Sequence, residues 1–372
     1  NNSVYAIAID SSDNVYVGGD FTNSGRAYFA MWDGESWSGL GADLNAIVYA
    51  ITIDSSDNVY VGGLFTTSGE LTGVGGVVVW DGNGWSKLGS GVDDLGYVNT
   101  LAIDSSGNVY AGGSFYEDYY YIAMWNGSTW ATVGGGADWE VKTIAIDSND
   151  NVYIGGGFEC AGGSGPPECG AGVLANRIAM WDGTDWSVLG DGLSANVYSL
   201  AIGAGDVLYA GGEFTLSGAT ELSRVAKWNG TTWSALGDGV YGPDYPAPTA
   251  HTLSFFGDKL YVGGLFANAG DEWVGNLAIW DETNDVWTDD FIMTGDFLSG
   301  PAYAVKVDSE GNVYVGGEFL VAGGVTVNNV AKWDGNTWNA LGIGVDGPVH
   351  ALALDSADNL YVGGYFDTNN SI

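Results

Sequence analysis

Basic residues are scarce in this sequence. Nine lysines and arginines stand against 46 aspartates and glutamates, so the formal net charge is -37. A polyanion of this kind repels nucleic acid and anionic membranes, which excludes partners that need a basic patch. Long hydrophobic runs are missing too, and none approaches the roughly 20 residues of a membrane helix. Disorder is not predicted, because 46% of the residues are hydrophobic and 13% are aromatic.

Histidine and cysteine are equally rare, with two residues of each. The sequence contains no G-x-S-x-G, H-E-x-x-H or P-loop motif, so the common hydrolase and nucleotide-binding signatures are absent. A glycosidase-type carboxylate pair stays open in a chain with 46 acids, but no spacing marks one. We therefore predict a protein that is not an enzyme.

The two cysteines lie close together in a glycine- and proline-rich insertion, FECAGGSGPPECGAG. Their spacing predicts a local disulfide between Cys160 and Cys169, and a disulfide indicates an oxidising compartment. Two free thiols are the alternative.

One unit, Val4–Phe21 (VYAIAIDSSDNVYVGGDF), is repeated along the chain. β-branched and aromatic residues fill its two apolar runs, and the DSSDN segment between them favours a turn, because short polar side chains bond nearby backbone groups. The unit thus predicts a β-hairpin that ends in a double glycine, where a bend or a close backbone approach is tolerated. The double glycines begin at Gly18, Gly62, Gly112, Gly155, Gly211, Gly263, Gly316 and Gly363.

Tryptophans mark a second pair of strands in the first seven repeats. A third segment ends in tryptophan, a turn follows, and a fourth segment opens with tryptophan. The turn contains Asp-Gly or Asn-Gly in six of the seven repeats, which is a strong hairpin signal. The shortest repeat spacing, Gly112 to Gly155, is 43 residues and the longest, Gly155 to Gly211, is 56. This range is typical of a four-stranded propeller blade.

The order of apolar strand, VYVGG, aromatic-ended strand, turn and tryptophan resembles a Kelch-type β-propeller repeat. The sixth repeat matches best, with LYVGG at Leu260–Gly264 and WDETNDVW at Trp280–Trp287. The other six shorten that turn and have tryptophan where Kelch repeats usually have tyrosine. The form IDSSGNVYAGG at Ile103–Gly113 also resembles bacterial secreted propeller repeats. The resemblance covers the whole chain and implies a fold, but propellers host many unrelated functions.

We therefore predict an all-β fold, a β-propeller of four-stranded blades in which residues 1–372 form a single domain. The eighth repeat holds only its first two strands, so its blade is predicted to be half complete. The alternative is seven blades, in which the last strand pair joins Phe29–Trp32 and Trp37–Leu40 and displaces Val4–Phe21. The repeats span approximately residues 4–47, 48–97, 98–140, 141–196, 197–249, 250–301, 302–348 and 349–372.

Alternating strand directions sort the connections into two faces. The first-to-second and third-to-fourth turns are short and uniform, whereas the other connections vary widely and define a variable face. Binding residues are usually carried on variable loops set on a rigid frame. Aromatic residues beside carboxylates suit a protein or glycan ligand, and packing within the loops is the alternative. The candidate ligand-binding residues are Tyr116, Tyr119, Tyr120, Trp139, Tyr241, Tyr245 and Trp273.

One aligned position opens the first strand of every repeat and is predicted to line a channel mouth. Both histidines fall there, which suggests a metal or catalytic role, although a strand end that tolerates polar residues is the favoured interpretation. These residues are Tyr5, Tyr49, Asn99, Lys142, Tyr198, His251, Tyr303 and His350.

The DSSDN-like turns resemble the first half of a calcium loop, so calcium is the one metal the sequence suggests. Turn formation is the favoured interpretation, because repeats 5 and 6 place Gly203 and Gly257 at the leading position and still keep the hairpin pattern. The candidate metal ligands are Asp10, Asp54, Asp147 and Asp355.

Together these patterns predict a non-catalytic propeller located outside the cell or at its surface, acting as an interaction or structural module. Self-association is expected through strand addition at the unfinished eighth repeat, which would build filaments, and a monomer whose short edge is covered by its own terminal residues is the alternative. A lectin-like propeller that binds glycans is the alternative, and a secreted hydrolase or lyase is the third hypothesis.

Overall fold

A computed structural model describes residues 2–22, 27–41, 44–92, 96–116, 118–163, 169–243, 247–288 and 297–367. In these ranges the regular structure is almost entirely β-strand, with one short 3-10 helix at Ala204–Asp206. None of their helices is long and apolar enough to cross a membrane. The chain divides into two compact units, residues 1–188 and 189–372. A single domain over residues 1–372 stays a prediction.

Unit 1 contains four antiparallel sheets of four strands, one for each of repeats 1 to 4. In every sheet the strands follow chain order, as expected when neighbouring strands are joined by hairpins. The strands of repeats 1 and 2 are Val4–Ile9, Val15–Gly19, Phe29–Trp32, Trp37–Ser38, Val48–Ile53, Val59–Gly63, Val77–Trp80 and Trp85–Lys87. Those of repeats 3 and 4 are Tyr97–Ile103, Val109–Ser114, Ile122–Trp125, Trp130–Thr132, Val141–Ile146, Val152–Gly156, Ile178–Trp181 and Trp186–Val188.

Unit 2 contains three sheets of the same kind and one two-stranded sheet for repeat 8. The strands of repeats 5 and 6 are Val197–Ile202, Leu208–Gly212, Val225–Trp228, Trp233–Ala235, Thr249–Phe256, Lys259–Leu265, Leu277–Asp281 and Val286–Trp287. Those of repeats 7 and 8 are Ala302–Val307, Val313–Gly317, Val330–Trp333, Trp338–Ala340, Val349–Leu354 and Leu360–Gly364. The predicted repeat of four strands is therefore confirmed, and the last repeat has two strands among the described residues.

Small hairpins lie in the second-to-third connections, where the sequence predicted only variable loops. In four of them a glycine in the left-handed region, such as Gly69 (φ +56°) or Gly270 (φ +55°), forms the turn. The pairs are Thr67–Ser68 with Leu71–Thr72, Cys160–Ala161 with Val173–Leu174, Leu216–Ser217 with Thr220–Glu221, Asn268–Ala269 with Glu272–Trp273, and Val321–Ala322 with Val325–Thr326. They give the variable face regular structure of its own.

Each glycine of the double glycine allows another part of the chain to approach the backbone closely. A Cβ on the first glycine would meet the next repeat, as at Gly62, where it would lie 2.8 Å from Val98 Cγ1. A Cβ on the second would meet the chain entering its own repeat, as at Gly19, where it would lie 2.0 Å from the Ser3 carbonyl oxygen. The first glycine lets neighbouring sheets pack face to face, and the second lets the first strand begin beside it.

Tryptophans connect successive repeats. The two indoles of each pair lie 5.2 to 5.7 Å apart between ring centroids. The indole N–H of Trp85 donates to the Leu40 carbonyl of the preceding repeat at 3.1 Å, and Trp130 donates to Leu88 at 2.6 Å. The equivalent bonds occur in repeats 4, 5 and 6. A buried or half-buried indole N–H is thus satisfied at each of these boundaries.

Candidate functional site

The variable-face loops are held by a recurring side-chain contact. A polar residue just before a first strand accepts two backbone N–H groups from the second-to-third connection of the same repeat. Asp138 Oδ1 accepts from Glu159 and Cys160, both at 2.8 Å, and Ser299 Oγ accepts from Leu320 and Val321, both at 3.0 Å. Asn45 and Ser194 make the same contact. These bonds hold the second-to-third connections of the variable face in place.

The disulfide between Cys160 and Cys169 is present, as predicted, and both cysteines are buried. Cys160 begins the small hairpin of repeat 4 and is one of the residues held by Asp138. The cross-link thus joins the strand that Asp138 holds to Cys169 of the same insertion.

An apolar pocket of about 310 Å³ lies on the variable face of unit 2. We define it by Pro243, Pro248, Phe266, Trp273, Phe297 and Leu298, which are among its lining residues. The Trp273 and Phe297 rings meet edge to face, with centroids 6.1 Å apart. Their side chains are 55% and 39% exposed, so the pair forms an open aromatic wall.

The polar side chains of the apolar pocket are already engaged by the protein. Asn276 accepts the Phe266 N–H at 3.0 Å and donates to the Leu298 carbonyl at 3.1 Å. Ser299 accepts the two N–H groups named above. These bonds shape the pocket, and its remaining contact surface is mainly hydrocarbon and aromatic.

Two predicted ligand-binding residues lie near this pocket in the chain. Tyr241 is 37% exposed and donates from its hydroxyl to the Gly270 carbonyl at 2.8 Å, which fixes the hairpin that carries Trp273. Tyr245 lies outside the described residues. Phe297 was not predicted from the sequence, because no motif surrounds it.

A second aromatic group, the aromatic patch, lies on the variable face of unit 1 and consists of Tyr116, Tyr120, Tyr121 and Trp139. Tyr116 contacts Tyr120 and Tyr121 at centroid distances of 5.2 and 5.8 Å, and Tyr121 lies 6.3 Å from Trp139. Tyr116 and Trp139 are 59% and 61% exposed. Tyr119, which the sequence placed in the same site, is half-buried against Trp130. A run of tyrosines does not reveal which of them face solvent.

The eight predicted channel-mouth residues share one backbone feature. In each first strand the pairing register skips a single residue, as at Tyr5 between Val4 and Ala6 and at His251 between Ala250 and Thr252. The same skip occurs in the other six repeats. Each candidate residue is therefore the extra residue of a β-bulge, which re-aims a side chain at the strand end.

In unit 2 the bulge residues form a row of aromatic rings. Tyr198, His251, Tyr303 and His350 follow one another at centroid distances of 5.9, 5.5 and 5.6 Å. Burial lowers the pKa of both histidines. The negative charges of Glu213, near His251, and Glu318, near His350, act in the opposite direction but are the smaller effect. Burial thus favours the neutral form of both imidazoles.

In unit 1 the row is aromatic at one end and charged at the other. Tyr5 lies 5.7 Å from Tyr49 between centroids. Glu140 accepts from Asn99 Nδ2 at 2.8 Å and pairs with Lys142 Nζ at 2.5 Å. No three His, Cys, Asp or Glu side chains converge on a metal-binding arrangement in the described part of the chain. A metal or catalytic role for these residues stays a prediction.

The side-chain carboxylate of each of the four leading aspartates accepts hydrogen bonds from four donors. Asp147 accepts from the N–H of Asn149 and Asn151, from Asn151 Nδ2 and from the Tyr153 hydroxyl, at 2.8 to 3.1 Å. Asp10, Asp54 and Asp355 have the same four types of donor. These bonds build the turn, and calcium binding by these aspartates stays a prediction.

Carboxylates of the same turns also join neighbouring repeats. The backbone N–H and hydroxyl of Ser11 donate to Asp57 of repeat 2 at 3.0 and 2.5 Å, and Ser105 and Ser309 bond Asp150 and Asp358 in the same way. Part of the acidic composition is thus structural.

The comparisons with known proteins concern the fold. No family model and no curated protein matches the sequence. Among solved structures, the Dos1 propeller matches with a TM-score of 0.58 at 12% identity, over 98% of this chain and 91% of that chain. The fold is a β-propeller. The computationally designed Ika8 protein matches this propeller with a TM-score of 0.57 at 16% identity, over 98% and 94% of the two chains.

A third match is PorZ, a bacterial surface component of the type-IX secretion system of Porphyromonas gingivalis. Its TM-score is 0.49 at 13% identity, with 98% of this chain covered. The propeller spans 52% of PorZ and 42% of a longer extracellular domain from B. thetaiotaomicron, so it is about half the length of these matches. Such identities show the fold alone, and the number of blades and the Kelch type stay predictions.

Proposed function

We propose that this propeller is a non-catalytic interaction module outside the cell or at its surface, and that the apolar pocket binds a protein partner. The pocket carries the proposal, because an exposed aromatic wall with internally satisfied polar groups suits a buried apolar anchor. The disulfide supports the location, since such bonds persist in oxidising compartments.

The acidic charge near the apolar pocket and on the whole propeller favours a basic partner. Asp271 and Glu272 directly precede Trp273 in the chain, and both are exposed. With a net charge of -37 on the propeller, a partner with basic residues around its apolar anchor gains from long-range attraction. We therefore expect a peptide segment with one aromatic or aliphatic anchor flanked by lysine or arginine.

Selection from a displayed peptide library tests this proposal. Selected peptides should carry the anchor with basic flanks, and Trp273→Ala should weaken their binding at least tenfold, which is about 1.4 kcal/mol. Tyr116→Ala, an equally exposed aromatic residue of unit 1, is the matched control and should leave binding unchanged. Peptides without a shared anchor, or equal losses in both variants, would contradict the proposal.

Glycan binding is the second candidate, and the aromatic patch favours it, because sugars stack on exposed tyrosine and tryptophan faces. A glycan array compares the two functions directly. Array binding that is lost in Trp139→Ala and retained in Trp273→Ala would replace the protein-binding proposal with the lectin-like one.

We also propose that the chain self-associates by strand addition at repeat 8, which would build filaments. Electron microscopy of the protein, with and without residues 349–372, tests this part. Filaments that persist after the deletion would show that another surface is responsible.

A further inference from the structure

Two of the third-to-fourth turns contain Asn-Gly followed by a hydroxyl residue, whereas four others contain Asp-Gly. The two asparagines are Asn126 in repeat 3 and Asn229 in repeat 5, and the hydroxyl residues are Ser128 and Thr231. Asn-x-Ser/Thr is the acceptor sequence for N-linked glycans. The asparagine and the three residues after it are exposed in both turns. These turns thus combine the acceptor sequence with an exposed surface.

The turn itself does not require asparagine. Asn126 Oδ1 accepts the backbone N–H groups two and three residues ahead, at 3.0 and 2.9 Å. In the equivalent turn of repeat 4, Asp182 Oδ1 accepts the same two N–H groups, both at 2.8 Å. The N–H groups of Asp185 and Thr184 lower the pKa of Asp182, and such charge-assisted hydrogen bonds are stronger than neutral ones. Turn formation therefore explains Asp-Gly better than it explains Asn-Gly.

The side-chain nitrogen of each asparagine has room for a substituent. No described residue accepts a hydrogen bond from Asn126 Nδ2, and Asn229 Nδ2 uses one of its two hydrogens in a long bond of 3.3 Å to Thr232 Oγ1. The space beside both turns is open, because a Cβ at Gly127 or Gly230 would have no atom within 4 Å. A group can therefore be attached at Nδ2 without breaking the two hydrogen bonds to Oδ1.

We propose that Asn126 and Asn229 are attachment sites for N-linked oligosaccharides. In the transfer, the anomeric carbon of the oligosaccharide forms a bond to Nδ2 while its bond to a lipid-linked diphosphate breaks. The lipid diphosphate leaves, and Nδ2 loses one proton. The inference rests on the part of the proposed function that places the propeller outside the cell or at its surface, because this modification belongs to secreted proteins.

The two glycans lie away from the candidate binding surfaces. In each antiparallel sheet, the third-to-fourth turn lies at the opposite end from the second-to-third connection, which belongs to the variable face. Asn126 is therefore remote from the aromatic patch of unit 1, and Asn229 is remote from the apolar pocket of unit 2. Glycans at these positions leave both surfaces free for a ligand.

Glycopeptide mass spectrometry of the protein from its native cells tests the inference. Peptides that contain Asn126 or Asn229 should carry a sugar mass, and fragmentation should place that mass on the asparagine. A bare asparagine, or an aspartate formed by deamidation without a sugar, would overturn the assignment of that site. A secreted, disulfide-bonded protein with bare asparagines would refute the glycan sites alone. A protein kept inside the cell with free Cys160 and Cys169 thiols would refute the proposed location as well, so the two failures are distinguishable.

Substitutions produced in the same cells separate the acceptor sequence from the turn. Asp182→Asn creates Asn-Gly-Thr in the exposed turn of repeat 4 and should add one glycan, whereas its matched control Asp81→Asn creates Asn-Gly-Asn and should add none. Ser128→Ala and Asn126→Asp should each remove one glycan, and Asn126→Asp should keep the fold, because Asp182 makes the same two turn bonds. A glycan gained by Asp81→Asn, or none gained by Asp182→Asn, would overturn the inference.

Discussion

At the scale of single residues, repeat 5 replaces a missing aspartate with a glutamate from its neighbour. In most repeats the second-strand tyrosine donates to the leading aspartate of its own turn, as Tyr16 donates to Asp10 at 3.0 Å. Repeat 5 has Gly203 at that position, and the Tyr209 hydroxyl donates instead to Glu282 Oε1 of repeat 6 at 2.8 Å. Glu282 Oε2 is buried with no partner among the described residues. This carboxylate therefore depends heavily on one tyrosine.

We expect Tyr209→Phe to lower the free energy of unfolding by about 2 to 3 kcal/mol, because it leaves the half-buried Glu282 carboxyl group without this hydroxyl donor. Tyr16→Phe is the matched control and should cost about 1 kcal/mol, since Asp10 keeps three other donors. Urea unfolding of both variants checks the difference. Equal losses would show that Glu282 is stabilised in another way.

The contribution of Asp334 to the stability of the fold should depend on pH. The N–H groups of Thr337 and Asn336, with the Asn339 amide, lower the pKa of Asp334 to about 2. The unfolded chain has an aspartate pKa of about 3.9, so this carboxylate stabilises the fold above about pH 4 and loses its contribution as the pH falls toward 2.

The melting temperature of the wild type should therefore exceed that of Asp334→Asn at pH 5, and the gap should narrow between pH 4 and pH 2. Comparing the two proteins removes the effect of the other carboxylates, which titrate in both. A gap that stays constant over this range would mean that the ionised form of Asp334 is not favoured by its N–H donors.

At the scale of the structural element, the repeat hairpins could be predicted from sequence, because their strands, turns and glycines each favour the same local structure. The bulges could not be predicted. Aligning the repeats found Tyr5 and its seven counterparts, but a bulge depends on pairing across the strand, which the alignment does not contain. The small hairpins were missed because two-residue strands leave no periodic pattern.

The close packing of the first glycine against the next repeat can be tested by substitution. A Cβ at Gly316 would lie 2.3 Å from Val349 Cγ1, so Gly316→Ala should destabilise the protein by about 1 to 3 kcal/mol through overpacking. Adding Val349→Ala removes the clashing atom and should cost less than the sum of the two single changes.

Two control variants, Gly84→Ala and Gly317→Ala, separate the clash with Val349 from a general effect of replacing glycine. A Cβ at Gly84 has no atom within 4 Å, so Gly84→Ala should change stability by no more than about 0.5 kcal/mol. At Gly317 an added Cβ would lie 2.1 Å from the Pro301 carbonyl oxygen. Because this obstacle is backbone, truncating a neighbouring side chain should not restore the stability of Gly317→Ala. Thermal unfolding compares the stabilities of Gly316→Ala, Val349→Ala, the double variant, Gly84→Ala and Gly317→Ala. If the effects of Gly316→Ala and Val349→Ala simply add in the double variant, the direct clash is refuted.

At the scale of the whole molecule, composition and repeat pattern predicted the propeller fold but only part of the candidate sites. Trp139 and Trp273 are exposed, as a binding role requires, whereas Tyr119 packs inward beside its exposed neighbours. Which side of a loop faces solvent depends on distant contacts, such as that of Phe297 with Trp273. Such contacts form only after the repeats have packed, so a local pattern cannot reveal them.

The charge of the whole molecule leads to the last prediction. With a net charge of -37, repulsion between carboxylates should weaken the fold at low ionic strength. The Debye length falls from about 30 Å at 0.01 M salt to about 8 Å at 0.15 M, so sodium chloride should raise the melting temperature over this range. Calcium bound at specific sites would add a further gain at micromolar to millimolar concentration.

Calcium, magnesium and sodium chloride compared at equal ionic strength separate screening from binding. A gain unique to calcium that disappears in Asp54→Asn would assign the ion to the DSSDN turns. The Asp54 carboxylate already accepts four hydrogen bonds from its own hairpin, so a calcium ion there would have to share or replace those donors. We therefore expect the melting temperature to follow ionic strength alone, and a calcium-specific gain would contradict this view of the turns.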